Sequence, residues 1–151
     1  MVTLRKTVAG LTEIALARFL GRATRAVGLR GTVNVVITTS RELRSLNRRF
    51  RGKDQPTDVL SFPAAAHLPL KYAGDLAISA ELASQNGRKL GHTASEEVKI
   101  LILHGVLHLA GYDHERDNGA MARKEERLRR ELRLPVGLIE RNRQSARRRE
   151  R

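Results

Sequence analysis

Residues 93–114 read TASEEVKILILHGVLHLAGYDH, and the fold is organised around this stretch. Thr93 and Glu96 have the spacing of a capping box: the threonine hydroxyl accepts from the first turn and the glutamate reaches back to the cap. Val98, Ile100, Leu101, Ile102, Leu103, Val106, Leu107 and Leu109 then leave almost no polar face. A helix that is apolar all round is a buried one, so a buried helix is expected from about Ala94 to Ala110. Gly111 can take the left-handed conformation that ends it.

His104 and His108 sit inside that apolar run. Four residues apart, they leave the same helix face about one turn apart, as two imidazoles sharing one metal ion must. Past the turn that Gly111 allows, His114 can return as a third nitrogen. Three neutral histidines leave a divalent ion its full charge and an open coordination position, which is the composition of a catalytic zinc site. A single histidine on an apolar helix is more often a hydrogen-bonded core residue, but three of the chain's five at this spacing favour a metal. The ligand spacing H-x3-H-x5-H resembles that of metzincin proteases. Gly105, however, stands where that pattern needs its general-base glutamate, which disfavours peptide hydrolysis.

Around the central helix, Val33–Thr39 reads as a short buried strand, Thr57–Phe62 and Asp75–Ser79 as two more, and Met1–Val8 as a fourth along an edge. Ser40 is the expected cap of a helix carrying Leu43, Leu46 and Phe50 and ending near Gly52. Further helices are expected over about Ala80–Leu90 and Gly119–Leu132. The opening Met1–Leu29 is arginine-rich with one acid, a pattern shared with organellar transit peptides. Its Leu11, Ile14, Ala15, Phe19 and Ala26 fit one side of an amphipathic helix packed on the domain, which is the simpler reading.

The chain has 151 residues, the size of one domain, assigned here to residues 1–140. Without cysteine, disulfides and thiolate sites are excluded, and any metal needs nitrogen and oxygen ligands. A formal charge of +13 attracts polyanions. The aromatics are two tyrosines and three phenylalanines, too few for base-stacking platforms, so contacts to backbone phosphates should dominate. No apolar run is long enough to span a bilayer, and the cytoplasm is the expected compartment. Residues 141–151 hold six arginines and one glutamate, a basic tail expected to be disordered. His67 and His92 are expected to be ordinary surface residues in loops.

The string from His104 to His114 resembles the signature of the YbeY endoribonuclease family, H-G-x-L-H-L-x-G-Y-D-H, at every fixed position. Two further blocks agree in order and spacing: NRRFRGKDQPTDVLSFP at residues 47–63 and GDLAIS at residues 74–79. The resemblance covers roughly residues 30 to 135. It implies an α+β fold with a small mixed sheet flanked by helices, and one zinc ion on His104, His108 and His114. It also implies cleavage of single-stranded RNA in ribosomal RNA maturation, notably at the small-subunit 3′ end, and in ribosome quality control. Ribosomal RNA and ribosome or small-subunit proteins would be the partners, with no membrane role. The family's functional arginine falls on Arg51, whose planar fork can hold phosphate oxygens and offset charge growing on phosphorus. The bland reading of Arg51 is a loop residue paired with Asp54.

The preferred reading is a phosphodiesterase in which Arg51 stabilises the phosphorane charge and either water or the RNA 2′-hydroxyl attacks. The runner-up is a non-catalytic RNA-binding assembly factor with a structural metal. Asp58 and Ser61 could cap or line the cleft floor, and Asp75 has no assigned role. Asp113 could orient an imidazole or only stabilise the turn. Tyr112 is not assigned to chemistry.

Overall fold

A computed structural model describes residues 1–65 and 71–149; His67 lies outside them. In chain order the elements are β1 (Val2–Leu4), α1 (Glu13–Val27), β2 (Thr32–Thr38), α2 (Ser40–Arg51), β3 (Val59–Pro63), β4 (Tyr72–Ser79), α3 (Ala80–Leu90), α4 (Ala94–Leu109), α5 (Ala120–Glu131) and α6 (Leu138–Arg149). The sheet order is β1-β2-β4-β3. β1, β2 and β4 run parallel, and β3 closes the far edge antiparallel to β4. This is the expected α+β arrangement of a small mixed sheet with helices.

Strand alternation divides the sheet into two faces. Val33, Val35 and Ile37 of β2, with Leu76 and Ile78 of β4, join the main core beneath α1 and α4. Val36, Leu60, Phe62 and Ala77 point the other way, where Leu43 and Leu46 of α2 meet them. Pairing of Val35 with Leu76 and Ile37 with Ile78 keeps the large side chains in step.

α4 runs through the middle of the molecule, against α1, α3, α5, β3 and β4. Its eight aliphatic residues from Val98 to Leu109 are all buried, each contributing about 2 kcal/mol by its removal from water. The Thr93–Glu96 capping box forms as expected, and Gly111 is left-handed, with φ of 97°.

Three expectations need correction. The cap of α2 is Thr39, one residue before Ser40: Thr39 keeps extended backbone and accepts from Glu42 N, while the Ser40 hydroxyl meets that of Ser79 at 2.7 Å. α1 starts at Glu13 and buries Leu16, Phe19, Leu20 and Ala23. Ile14 is 70% exposed and Ala15 also faces solvent, because this i, i+3, i+4, i+7 stripe fixes the inward side. Finally, residues 141–149 are helical, and a boundary at residue 140 falls inside α6. The composition is that of a solvated tail, yet Leu138, Ile139 and Arg141 are buried, and those three side chains dock the helix.

Candidate metal centre

The last turns of α4 carry His104 and His108, whose Nε2 atoms lie 3.1 Å apart. Beyond the helix, Gly111 N donates to His108 O and Tyr112 N to Leu107 O, closing the turn that leads to His114. One ring nitrogen from each of His104, His108 and His114 lies within 4.8 Å of the others, a group that can hold a metal ion. His104 is buried, His108 half-buried and His114 exposed, so the cluster faces the solvent along one side.

The hydrogen bonds on the far side of each ring decide what the near side can do. His104 Nδ1 is 2.7 Å from Glu125 Oε2, and His108 Nδ1 is 3.1 Å from the carbonyl of Tyr112. A carboxylate and a carbonyl only accept, so in each neutral ring the proton sits on Nδ1 and Nε2 keeps its lone pair. Two lone pairs then face each other at 3.1 Å with no proton between them, which is unfavourable unless a cation lies in between. A tetrahedral zinc with Zn–N distances near 2.05 Å would hold two nitrogens about 3.3 Å apart. The donor set therefore fits such an ion. His108 is also held below the ordinary histidine pKa, chiefly by burial and then by its two histidine neighbours, which favours the neutral, ligating form.

Arg51, the last residue of α2, donates from Nη2 to the carbonyl of Ser61 at 2.9 Å. With Val59, Ser61, Pro63, His104 and His108 it lines a cleft of about 200 Å³. Asp54 pairs instead with Arg44 at 2.7 Å, which holds the Asp54 carboxyl below its usual range. Arg51 is thus placed beside the histidines and is not paired with Asp54.

Gly105 faces the sheet. A Cβ there would sit 2.7 Å from Leu76 Cδ2 and 3.2 Å from Ser61 Oγ, so a side chain at the position that holds a glutamate in the protease pattern would have to displace Leu76. Close approach of α4 to β3 and β4 takes up that space.

The other residues singled out from the sequence are distributed around the fold. Ser61 lines the histidine cleft. Asp58, with its pKa raised by burial, lies instead in a neighbouring hollow with Asn86 and Arg141. Asp75 lies on the opposite sheet face beside Asn34, in a larger hollow of about 690 Å³ away from the histidines. Its carboxylate, ahead of burial, pushes the Tyr72 pKa up to about 12. Asp113 accepts from Glu115 N at 3.1 Å, the turn-stabilising alternative, and Tyr112 serves the site through its carbonyl. His92 does lie in a loop but is not a surface residue: its side chain is 6% exposed, with Nε2 2.6 Å from Glu97 Oε2. Glu97 is itself buried and accepts from Arg141 Nη1 at 2.8 and 2.7 Å.

Sequence reasoning missed Glu125. A usable signal was present: Met121, Glu125 and Leu128 form the buried stripe of α5, and a carboxylate on an apolar stripe requires a partner.

Fold and centre together define a class: single-domain α+β proteins with a three-histidine metal-type cluster at the mouth of a cleft. The family model for endoribonuclease YbeY matches residues 3–133, and the chain belongs to that family. Among its relatives, the endoribonuclease YbeY of Koribacter versatilis is 57% identical over 141 residues, covering 93% of this chain and 91% of the relative. That of Solibacter usitatus is 49% identical over 140 residues, covering 93% and 92%. The chain also resembles the solution structure of a Thermotoga maritima protein, with 29% identity and a TM-score of 0.57 over 87% of this chain and 89% of the other.

Proposed function

We propose that this protein is a metal-dependent endoribonuclease specific for single strands. It holds one zinc ion on His104, His108 and His114 and acts on ribosomal RNA, in maturation of the small-subunit 3′ end and in ribosome quality control. The observation that carries the reading is the pair of Nε2 atoms 3.1 Å apart on α4, each ring turned so that its Nδ1 meets an acceptor, sharing one cleft with Arg51. When bound, the ion supplies Lewis acidity toward a phosphoryl oxygen.

The chain's own groups supply the rest. Glu125 and the Tyr112 carbonyl keep the two imidazoles turned toward the cleft. Arg51, held by one hydrogen bond to Ser61 O, has further N–H donors for non-bridging phosphate oxygens, and its fixed charge stabilises the transition state as negative charge builds up. The net charge of +13 draws an anionic substrate toward the protein. Family membership supports the endoribonuclease assignment. Gly105, standing where the protease pattern carries its general-base glutamate, supports the choice of a phosphodiester over a peptide bond. We place the protein in the cytoplasm with ribosomal RNA and small-subunit proteins as partners; among the described residues no helix is long and apolar enough to cross a membrane.

Elemental analysis tests the centre. Purified protein should carry about one zinc per chain, and His104→Ala should lose it. Metal-free wild type, or equal loading of both proteins, would refute the assignment.

A further inference from the structure

Glu125 is 1% exposed, and its carboxylate is divided between two tasks. Oε2 faces His104 Nδ1 at 2.7 Å. Oε1 accepts from Ile139 N at 2.8 Å, one of the first-turn N–H groups of α6 that no intrahelical carbonyl can reach. The fit is close: a Cβ on Gly137 would lie 2.7 Å from Oε1 and 3.1 Å from Cγ of Glu125. We propose that Glu125 is a positioning residue that couples the seating of α6 to the readiness of His104 as a ligand, an inference resting on the metal reading above.

The coupling follows from donor and acceptor counting. As an acceptor at both oxygens, the carboxylate keeps the His104 proton on Nδ1 and the Nε2 lone pair turned toward the cleft, while it also caps α6. A glutamine of the same shape has only one acceptor. With its oxygen on Ile139 N–H, its NH2 group faces His104, whose Nδ1 must then accept and whose proton moves to Nε2, removing the lone pair. Turned the other way, the NH2 group meets the Ile139 N–H donor. Glutamine can cap Ile139 or keep the Nδ1–H tautomer of His104, never both. α6 begins beyond residue 133, where the family match ends, so a segment outside that match helps to shape the centre within it.

The test measures Zn²⁺ affinity by competition with a chelating dye, thermal stability of the metal-free protein, and the imidazole nitrogen NMR spectrum of the metal-free full chain. Glu125→Gln should bind Zn²⁺ roughly 10–100-fold more weakly, with the His104 signals moved to the Nε2–H tautomer. Gly137→Ala keeps the carboxylate but crowds it, and should weaken Zn²⁺ in the same direction. A role in stability alone would lower the melting temperature without moving the tautomer. Unchanged Zn²⁺ affinity in both folded variants, or retention of Nδ1–H in Glu125→Gln, overturns the proposal. If Glu125→Gln does not fold, Gly137→Ala and exchange of the Ile139 amide in wild type decide: slower exchange with Zn²⁺ supports the coupling, and unchanged exchange refutes it. Failure of wild type to bind Zn²⁺ would instead refute the metal reading, leaving the metal-free tautomer to judge Glu125.

Discussion

Arg51 is where a single side chain is asked for the most. Alanine there removes the guanidinium beside the histidines and one hydrogen bond to the Ser61 carbonyl, whose net value is about 1 kcal/mol. The fold and the zinc content should therefore be kept, while cleavage falls on the order of 10²–10³-fold, the cost of losing one charge-stabilising donor. Cleavage kinetics and metal content measured on the same preparation check both halves. Full activity, or activity lost only with the metal, would mean the role is misassigned. The histidines were legible in the sequence because ligand spacing on a helix is a local property: the i, i+4 pair and the turn at Gly111 fix it. The stripe of α5 marks Glu125 as needing a partner, but which partner was not legible for Glu125 or His92, because His104 and Glu97 come from other elements or a turn away and no local period encodes such pairs.

Between elements, the decisive contact is α6 against α4. Arg141 closes on Glu97 in a buried pair, with His92 on the second oxygen. Removing one member of such a pair strands a charge out of water, at a cost of about 3–5 kcal/mol, whereas replacing both with apolar side chains is often far cheaper. Arg141→Met should thus be strongly destabilising in urea unfolding, and Glu97→Met in the same chain should recover part of the loss. A small effect of Arg141→Met would show that α6 is not docked as described. Truncation after Glu140 is for this reason a poor probe of the arginine-rich end, since it removes Arg141 with the surface arginines. The positions of the strands and most helix limits were legible from period and caps, with α3 matched at both ends, although β1 is three residues long where Met1–Val8 was expected and β4 begins at Tyr72 where Asp75 was expected. α6 was hidden because its arginines outweigh the few side chains that hold it down.

At the scale of the molecule, a central apolar helix carries two of the three histidines into a basic protein, so one element provides both the core and the centre. Binding through phosphates should make RNA cleavage fall steeply as salt rises. The fold class was legible from the strand and helix pattern together with the family resemblance; the way the sheet's second face is left to α2 and an open hollow was not, since strand alternation does not say what covers each face. The central claim, that the three-histidine cluster drives RNA cleavage, is tested most directly by comparing wild type with His108→Ala, purified identically, on single-stranded ribosomal RNA. Wild type should cleave, stop when the metal is chelated and resume when zinc is returned, while His108→Ala should stay inactive throughout. Equal cleavage by the two proteins, or cleavage by wild type that ignores the chelator, would contradict it.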